Sequence, residues 1–168
     1  METIAQRMRK VGTYLGYFDI QPYENVNEDS RNFGVTYDRL IFHPALKRRE
    51  FIAFGDLVYF MYIKDDLVKV GKAEGAIGWA GRMNTYRKDP DDDATNKKIM
   101  DIMKEDYSVI EPIYVYAISV PRVASDYYCN LTDSAVMVSI PRAGKVETYL
   151  TECVEAQGEQ LIFCNQKT

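Results

Sequence analysis

The amino-acid sequence predicts an α+β domain: a small antiparallel sheet of about three strands flanked by helices, with further elements at the N-terminus and in an insertion. Three observations predict it. Residues 57–64, LVYFMYIK, form a strand-length run rich in aromatic and β-branched side chains. Asp65-Asp66 suits a tight turn, and residues 67–71, LVKVG, follow as a second short strand, so the two runs make a hairpin. Residues 113–120, IYVYAISV, supply a third strand closed by Pro121.

The remaining elements follow in chain order. Residues 1–10 suit a short amphipathic helix, and residues 11–20 alternate aromatic and small side chains as a strand does. Residues 21–32 are polar and loop-like, residues 35–42 look extended, and Pro44 then opens a helix-like stretch through Phe51. After the hairpin, residues 72–75 form a loop. Residues 77–87 read as a helix, with Ile77, Ala80, Met83 and Thr85 as packing positions. Residues 89–94 break it, with Asp93 placed to cap a second helix over 96–104. The acidic group around Asp89 lacks the glycine and distal glutamate of a calcium loop. Residues 122–134 are irregular, and residues 135–140 are extended. Residues 143–156 carry a helical stripe of Val146, Leu150, Cys153 and Val154, and residues 161–164 suit a last short strand. The 168 residues fit a single domain, with a core over about 56–120 plus the helix 143–156 and an N-terminal extension over 1–55.

Composition removes several classes of function. The chain is 46% hydrophobic and 27% charged, as a globular domain is. No apolar run is long enough to span a bilayer, and the opening METIAQRMRKVG is too polar for a secretory signal. The expectation is a cytoplasmic protein of a bacterial or phage-infected cell, with Cys129, Cys153 and Cys164 as free thiols. The single histidine, His43, excludes zinc sites built on histidine pairs, and no nucleophile elbow accompanies it. Chemistry must therefore rest on Tyr, Lys, Arg, Asp or Glu. A net charge of −4 weighs against nucleic acid, but basic residues are dense at 7–10, 47–49 and 82–88, and a local patch can oppose the total.

Tyr59 and Lys69 lie ten positions apart, and the hairpin folds one back toward the other. Arg82 and Tyr86, at i and i+4, share one face of the next helix. Leu57-Val58-Tyr59 followed by Lys69-Val70-Gly71, then VGKA and GRMNTYR, resembles the motif run of the GIY-YIG nucleases. Lysine replaces the usual tyrosine at the start of the second motif, and a tyrosine follows the arginine by one turn. In both respects the chain is similar to the type II restriction endonuclease branch. The resemblance covers residues 57–87 closely and 143–154 more loosely, where the glutamate the family requires is matched by Glu147.

This resemblance implies a metal-dependent DNA endonuclease, restriction-like or from a phage or mobile element. Glu147 would hold Mg²⁺, with Mn²⁺ able to substitute, and the metal would stabilise the leaving 3′ oxygen. Arg82 would grip the phosphate, and Tyr59 would deprotonate or orient the attacking water, with Lys69 favouring its phenolate. Tyr86 would bond the phosphate or the water. Lys72, Trp79, Arg87 and Arg122 are the candidate DNA contacts, and a double-strand cut implies a homodimer.

Plainer roles stand beside these. Tyr59 can be core, Lys69 an edge-strand charge, and Glu147 a helix-start acid with Glu152 and Glu155 on the same segment. Trp79 either packs on the sheet, the stronger option, or points toward DNA. Tyr127 and Tyr128 either read bases or pack a surface loop. The alternative function is a GIY-YIG-like fold without catalysis that binds DNA or a protein, for instance a phage product acting on a host protein.

Overall fold

The structure is a computed structural model that describes residues 1–31, 33–75, 78–86, 94–107 and 111–163, with the side chains of residues 94 and 95 left aside. Its elements are α1 (Ile4–Val11), β1 (Thr13–Glu24), β2 (Thr36–Pro44), α2 (Arg48–Phe54), β3 (Leu57–Ile63), β4 (Asp66–Ala73), α3 (Gly78–Tyr86), α4 (Ala94–Glu105), β5 (Ile113–Ser119), β6 (Val123–Cys129), β7 (Ser134–Ile140) and α5 (Ala143–Ala156). The α+β class is as expected.

The main sheet has five strands rather than about three, in the order β2-β1-β5-β3-β4, and every pairing is antiparallel. The hairpin β3-β4 and its neighbour β5 are the three strands that the apolar runs predict. β1 and β2 extend them on the far side of β5. β3 is buried along its whole length because it has strands on both sides and helices on both faces. That is why its sequence shows no alternation.

One face packs Leu57, Tyr59, Met61 and Ile63 of β3 against Phe51 of α2, Trp79 and Tyr86 of α3, and Ile99, Met100 and Met103 of α4. The other packs Val58, Phe60 and Tyr62 against Ala5 and Met8 of α1 and Ala143 and Val154 of α5. α1 is fixed by a capping box between Thr3 and Gln6. A bulge between Met61 and Tyr62 takes Val68 out of register and re-aims the middle of β4.

Four local expectations are corrected. Residues 21–24 continue β1 instead of looping, because they pair with β2 as far as Glu24 with Thr36. Pro44 ends β2 opposite Gly16, and the helix begins only at Arg48. The segment 122–134 is not wholly irregular: β6 pairs with β7 in a separate two-stranded ribbon. Residues 161–163 form a turn, not a strand, although the Phe163 N–H donates to the Val68 carbonyl at 3.0 Å. Ile77, the group 89–93 and Cys164 lie outside the described residues. No helix among the described residues is long and apolar enough to cross a membrane.

Candidate active site

Antiparallel register places the first part of the site. Tyr59 faces Gly71 across the hairpin and Met61 faces Lys69, and cross-strand partners share a face of the sheet. Both Tyr59 and Lys69 therefore lie on the side covered by α3. Gly71 makes room for the tyrosine: a Cβ there would fall 2.3 Å from both Cζ and the hydroxyl oxygen of Tyr59. The ring lies over this bare strand position and meets Trp79 edge-on, with centroids 5.1 Å apart.

α3 completes the cluster. The Tyr59 and Tyr86 hydroxyls are 2.7 Å apart, and Arg82 Nε donates to the Tyr59 hydroxyl at 3.1 Å. The guanidinium carbon lies 5.9 Å from the centroid of each ring. The i, i+4 spacing read from the sequence thus brings Arg82 and Tyr86 onto one tyrosine. Burial pushes the Tyr59 phenol above its ordinary value, although Arg82 and the Tyr86 hydroxyl pull the other way. The group is a neutral phenol at physiological pH. Desolvation works against the Arg82 charge, but the two tyrosines and Glu147 outweigh it and raise its pKa.

Asn96 of α4 fixes the end of α3. It is 1% exposed, and its Nδ2 donates to the Thr85 carbonyl at 2.9 Å and the Tyr86 carbonyl at 3.3 Å. Both are carbonyls in the helix's last turn, which lack partners within it. Asn96→Ala should therefore destabilise the protein by about 1–3 kcal/mol in urea unfolding. A change below a few tenths would show that this tie is dispensable.

Lys69 is 8% exposed, and its ammonium donates to the Phe163 carbonyl at 3.0 Å. The cation on the Tyr59 hydroxyl is Arg82, and burial still dominates. Glu147, in the second turn of α5, is half-buried, and α5 packs on the face of the sheet opposite Tyr59 and Tyr86. Burial raises its carboxyl above the usual range. Lys72, Lys69 and Arg82 oppose that shift, in this order, and Glu74 adds to it. Glu152 and Glu155 of the same helix are exposed. Hydrogen bonds thus join Tyr59, Arg82 and Tyr86, while Glu147 feels Lys69 and Arg82 through charge.

The candidate DNA contacts divide. Lys72 lies on the α5 face of β4, opposite Val58, and its ammonium meets Glu74 at 2.9 Å. Trp79 is corrected: it is 1% exposed and packs between Phe18, Phe42 and Tyr59, so it is core and not a DNA contact. Arg122 is half-exposed and faces the buried Asp56 carboxylate at 3.6 Å. Arg87 lies outside the described residues. Tyr127 and Tyr128 are exposed on β6. His43 is stacked on Tyr17 and lies 2.9 Å from Asp19. A cavity of about 590 Å³ between α2 and α3 is lined by Ala80, Met83 and Asn84, turned away from Arg82 and Tyr86 around the helix.

Sequence reasoning missed Glu74, just beyond β4. Its carboxylate accepts from Lys72 Nζ at 2.9 Å and from the Gly144 N–H of α5 at 2.8 Å. These bonds tie the hairpin to the helix that bears Glu147.

Among the described residues no cluster of three or more His, Cys, Asp or Glu is present, so an ion here would take the Glu147 carboxylate and otherwise water or phosphate oxygen. That carboxylate is half-buried, burial raises its pKa, and among the described residues no hydrogen bond or ion pair engages it. Compared with protein-family models, curated proteins and solved structures, the chain has no match in any of the three.

Proposed function

We propose that the chain is a metal-dependent DNA endonuclease with a GIY-YIG-type site, hydrolysing phosphodiester bonds. The observation that carries this reading is the convergence of the Tyr59 and Tyr86 hydroxyls with Arg82 Nε, at 2.7 and 3.1 Å. A purely structural tyrosine pair has no need of a charged guanidinium withdrawn from water. Lys69 and Glu147 complete the proposed set.

The roles follow from each group's surroundings. Arg82, held by Tyr59, presents its remaining N–H donors to a phosphate and offsets the charge that develops on it. Tyr59 is a buried neutral phenol, so it orients Arg82 by hydrogen bonding rather than acting as a base at neutral pH. Tyr86 fixes the Tyr59 hydroxyl. Lys69 adds positive potential from beneath, with its direction set by the Phe163 carbonyl. Glu147 would hold Mg²⁺ or Mn²⁺, which when bound would supply charge neutralisation and stabilise the leaving 3′ oxygen. Lys72 and Arg122 would meet backbone phosphates, and two copies would be needed to cut both strands.

Purified protein should cut supercoiled plasmid or phage DNA in Mg²⁺ or Mn²⁺ and not in EDTA. Glu147→Ala should lower the rate by at least about a hundredfold while keeping the fold. A full set of varied DNA substrates left intact by the wild type overturns the reading. A second reading, a non-catalytic binding module for a protein, is favoured by the ribbon. The β6-β7 face that carries Val123, Tyr127, Val136 and Ile140 has no charged residue, and all four side chains are exposed. Such a face suits a protein better than phosphate.

A further inference from the structure

We propose that Glu74 keeps Glu147 open to a divalent cation by holding the Lys72 ammonium away from it. The inference rests on the reading of Glu147 as the metal-bearing carboxylate. The Lys72 ammonium lies against Gly144, three positions before Glu147 on α5 and so on the same helix face, yet its ion pair is with Glu74. A lysine so placed would be expected to close on the half-buried carboxylate and compete with a metal for it.

Three features hold it elsewhere. Glu74 receives the ammonium on one carboxylate oxygen at 2.9 Å, while its other oxygen is anchored by the Gly144 N–H at 2.8 Å. The anchor lies in the first turn of α5, where the helix dipole favours a carboxylate. Gly144 supplies the space: a Cβ there would lie 2.7 Å from Lys72 Nζ. The Glu74 carboxyl is accordingly held below the usual range, first by Lys72 and also by the Gly144 N–H, although burial opposes them. Glu74 is thus a positioning residue, acting on Glu147 through Lys72.

Glu74→Gln separates its two bonds. Glutamine keeps an acceptor for Gly144 but loses the charge that retains Lys72, which is then free to pair with Glu147. Mn²⁺ binding to the full chain, read from the EPR signal of the free ion, reports this without any cleavage. Glu74→Gln should weaken Mn²⁺ binding on the order of fivefold, the scale of one exposed ion pair. Lys72→Met added to Glu74→Gln should restore it. Lys72→Met alone should bind Mn²⁺ as tightly as the wild type or more tightly, which tests the idea even if Glu74→Gln folds poorly. Wild-type binding that depends on Glu147 but is unchanged by Glu74→Gln overturns this proposal alone. So does failure of Lys72→Met to restore binding, or a loss of affinity in Lys72→Met itself. Wild-type protein with no Glu147-dependent Mn²⁺ binding overturns the nuclease reading, and this proposal with it.

Discussion

Glu147→Gln should reduce metal-dependent DNA cleavage by about two to three orders of magnitude while the thermal midpoint at pH 7 stays level or rises. The unusual part is the sign of the stability change. Burial is the largest influence on Glu147 and raises its carboxyl pKa. A raised folded-state pKa means that folding favours the protonated form. That contribution to stability is fully present below the unfolded carboxyl value and is lost as pH rises through the folded one. At neutral pH the ionised side chain therefore sits in the fold at a disadvantage, and neutral glutamine of the same shape relieves it. The group is about half in solvent, so screening keeps the gain small, about 1–3 °C. The gain should fade as pH falls into the range where the wild-type carboxyl is itself protonated. Added Mn²⁺ should raise the wild-type midpoint and leave that of Glu147→Gln unmoved. A clear fall in midpoint at pH 7 would mean that the carboxylate makes a structural contact, and the assignment to metal would fail.

The same physics explains what the sequence could and could not disclose. β3, β4 and β5 are legible because burial on both faces demands unbroken apolar runs. α5 is legible because one face is apolar at helical spacing. The partner of β1 is not legible: Tyr17 pairs with Tyr114, far along the chain, and no local pattern specifies which strand a half-buried strand will join. β6 escaped because SDYYC mixes polar and aromatic residues on a ribbon that faces solvent, where no buried face imposes alternation. In the site, helical spacing places Arg82 and Tyr86 on one face, and the resemblance to the GIY-YIG motif run singles them out. Trp79 was ambiguous because position in a helix's first turn does not say which way the ring points, whereas the core around Phe18 and Phe42 does. The bond from Lys69 to the Phe163 carbonyl is not legible, since a backbone carbonyl has no residue signature. Glu74 was hidden for a related reason, with one of its two donors a backbone N–H 70 positions away.

Gly71→Ala should do the most damage for the fewest atoms. The added methyl would fall 2.3 Å from the Tyr59 ring and hydroxyl, far inside contact distance. A flexible side chain elsewhere would step aside. Tyr59 is fully buried, braced by Trp79 and tied at its tip to Tyr86 and Arg82. The methyl must therefore displace the ring and break the cluster, or displace the strand. Overpacking of this kind costs about 1–3 kcal/mol, several degrees in thermal midpoint for a chain of this size. Cleavage should fall with it, because the Tyr59 hydroxyl leaves Arg82. Global weakening and a local clash are separable in a Tyr59→Leu background, which removes the atoms the methyl would strike. There Gly71→Ala should be nearly neutral, with a coupling of about 1–3 kcal/mol between the two positions. Additive effects would mean that Gly71 matters to the backbone of β4 rather than to Tyr59. Coupling would instead identify the glycine of the second motif as the seat of the tyrosine of the first, a relation set by the register of one hairpin.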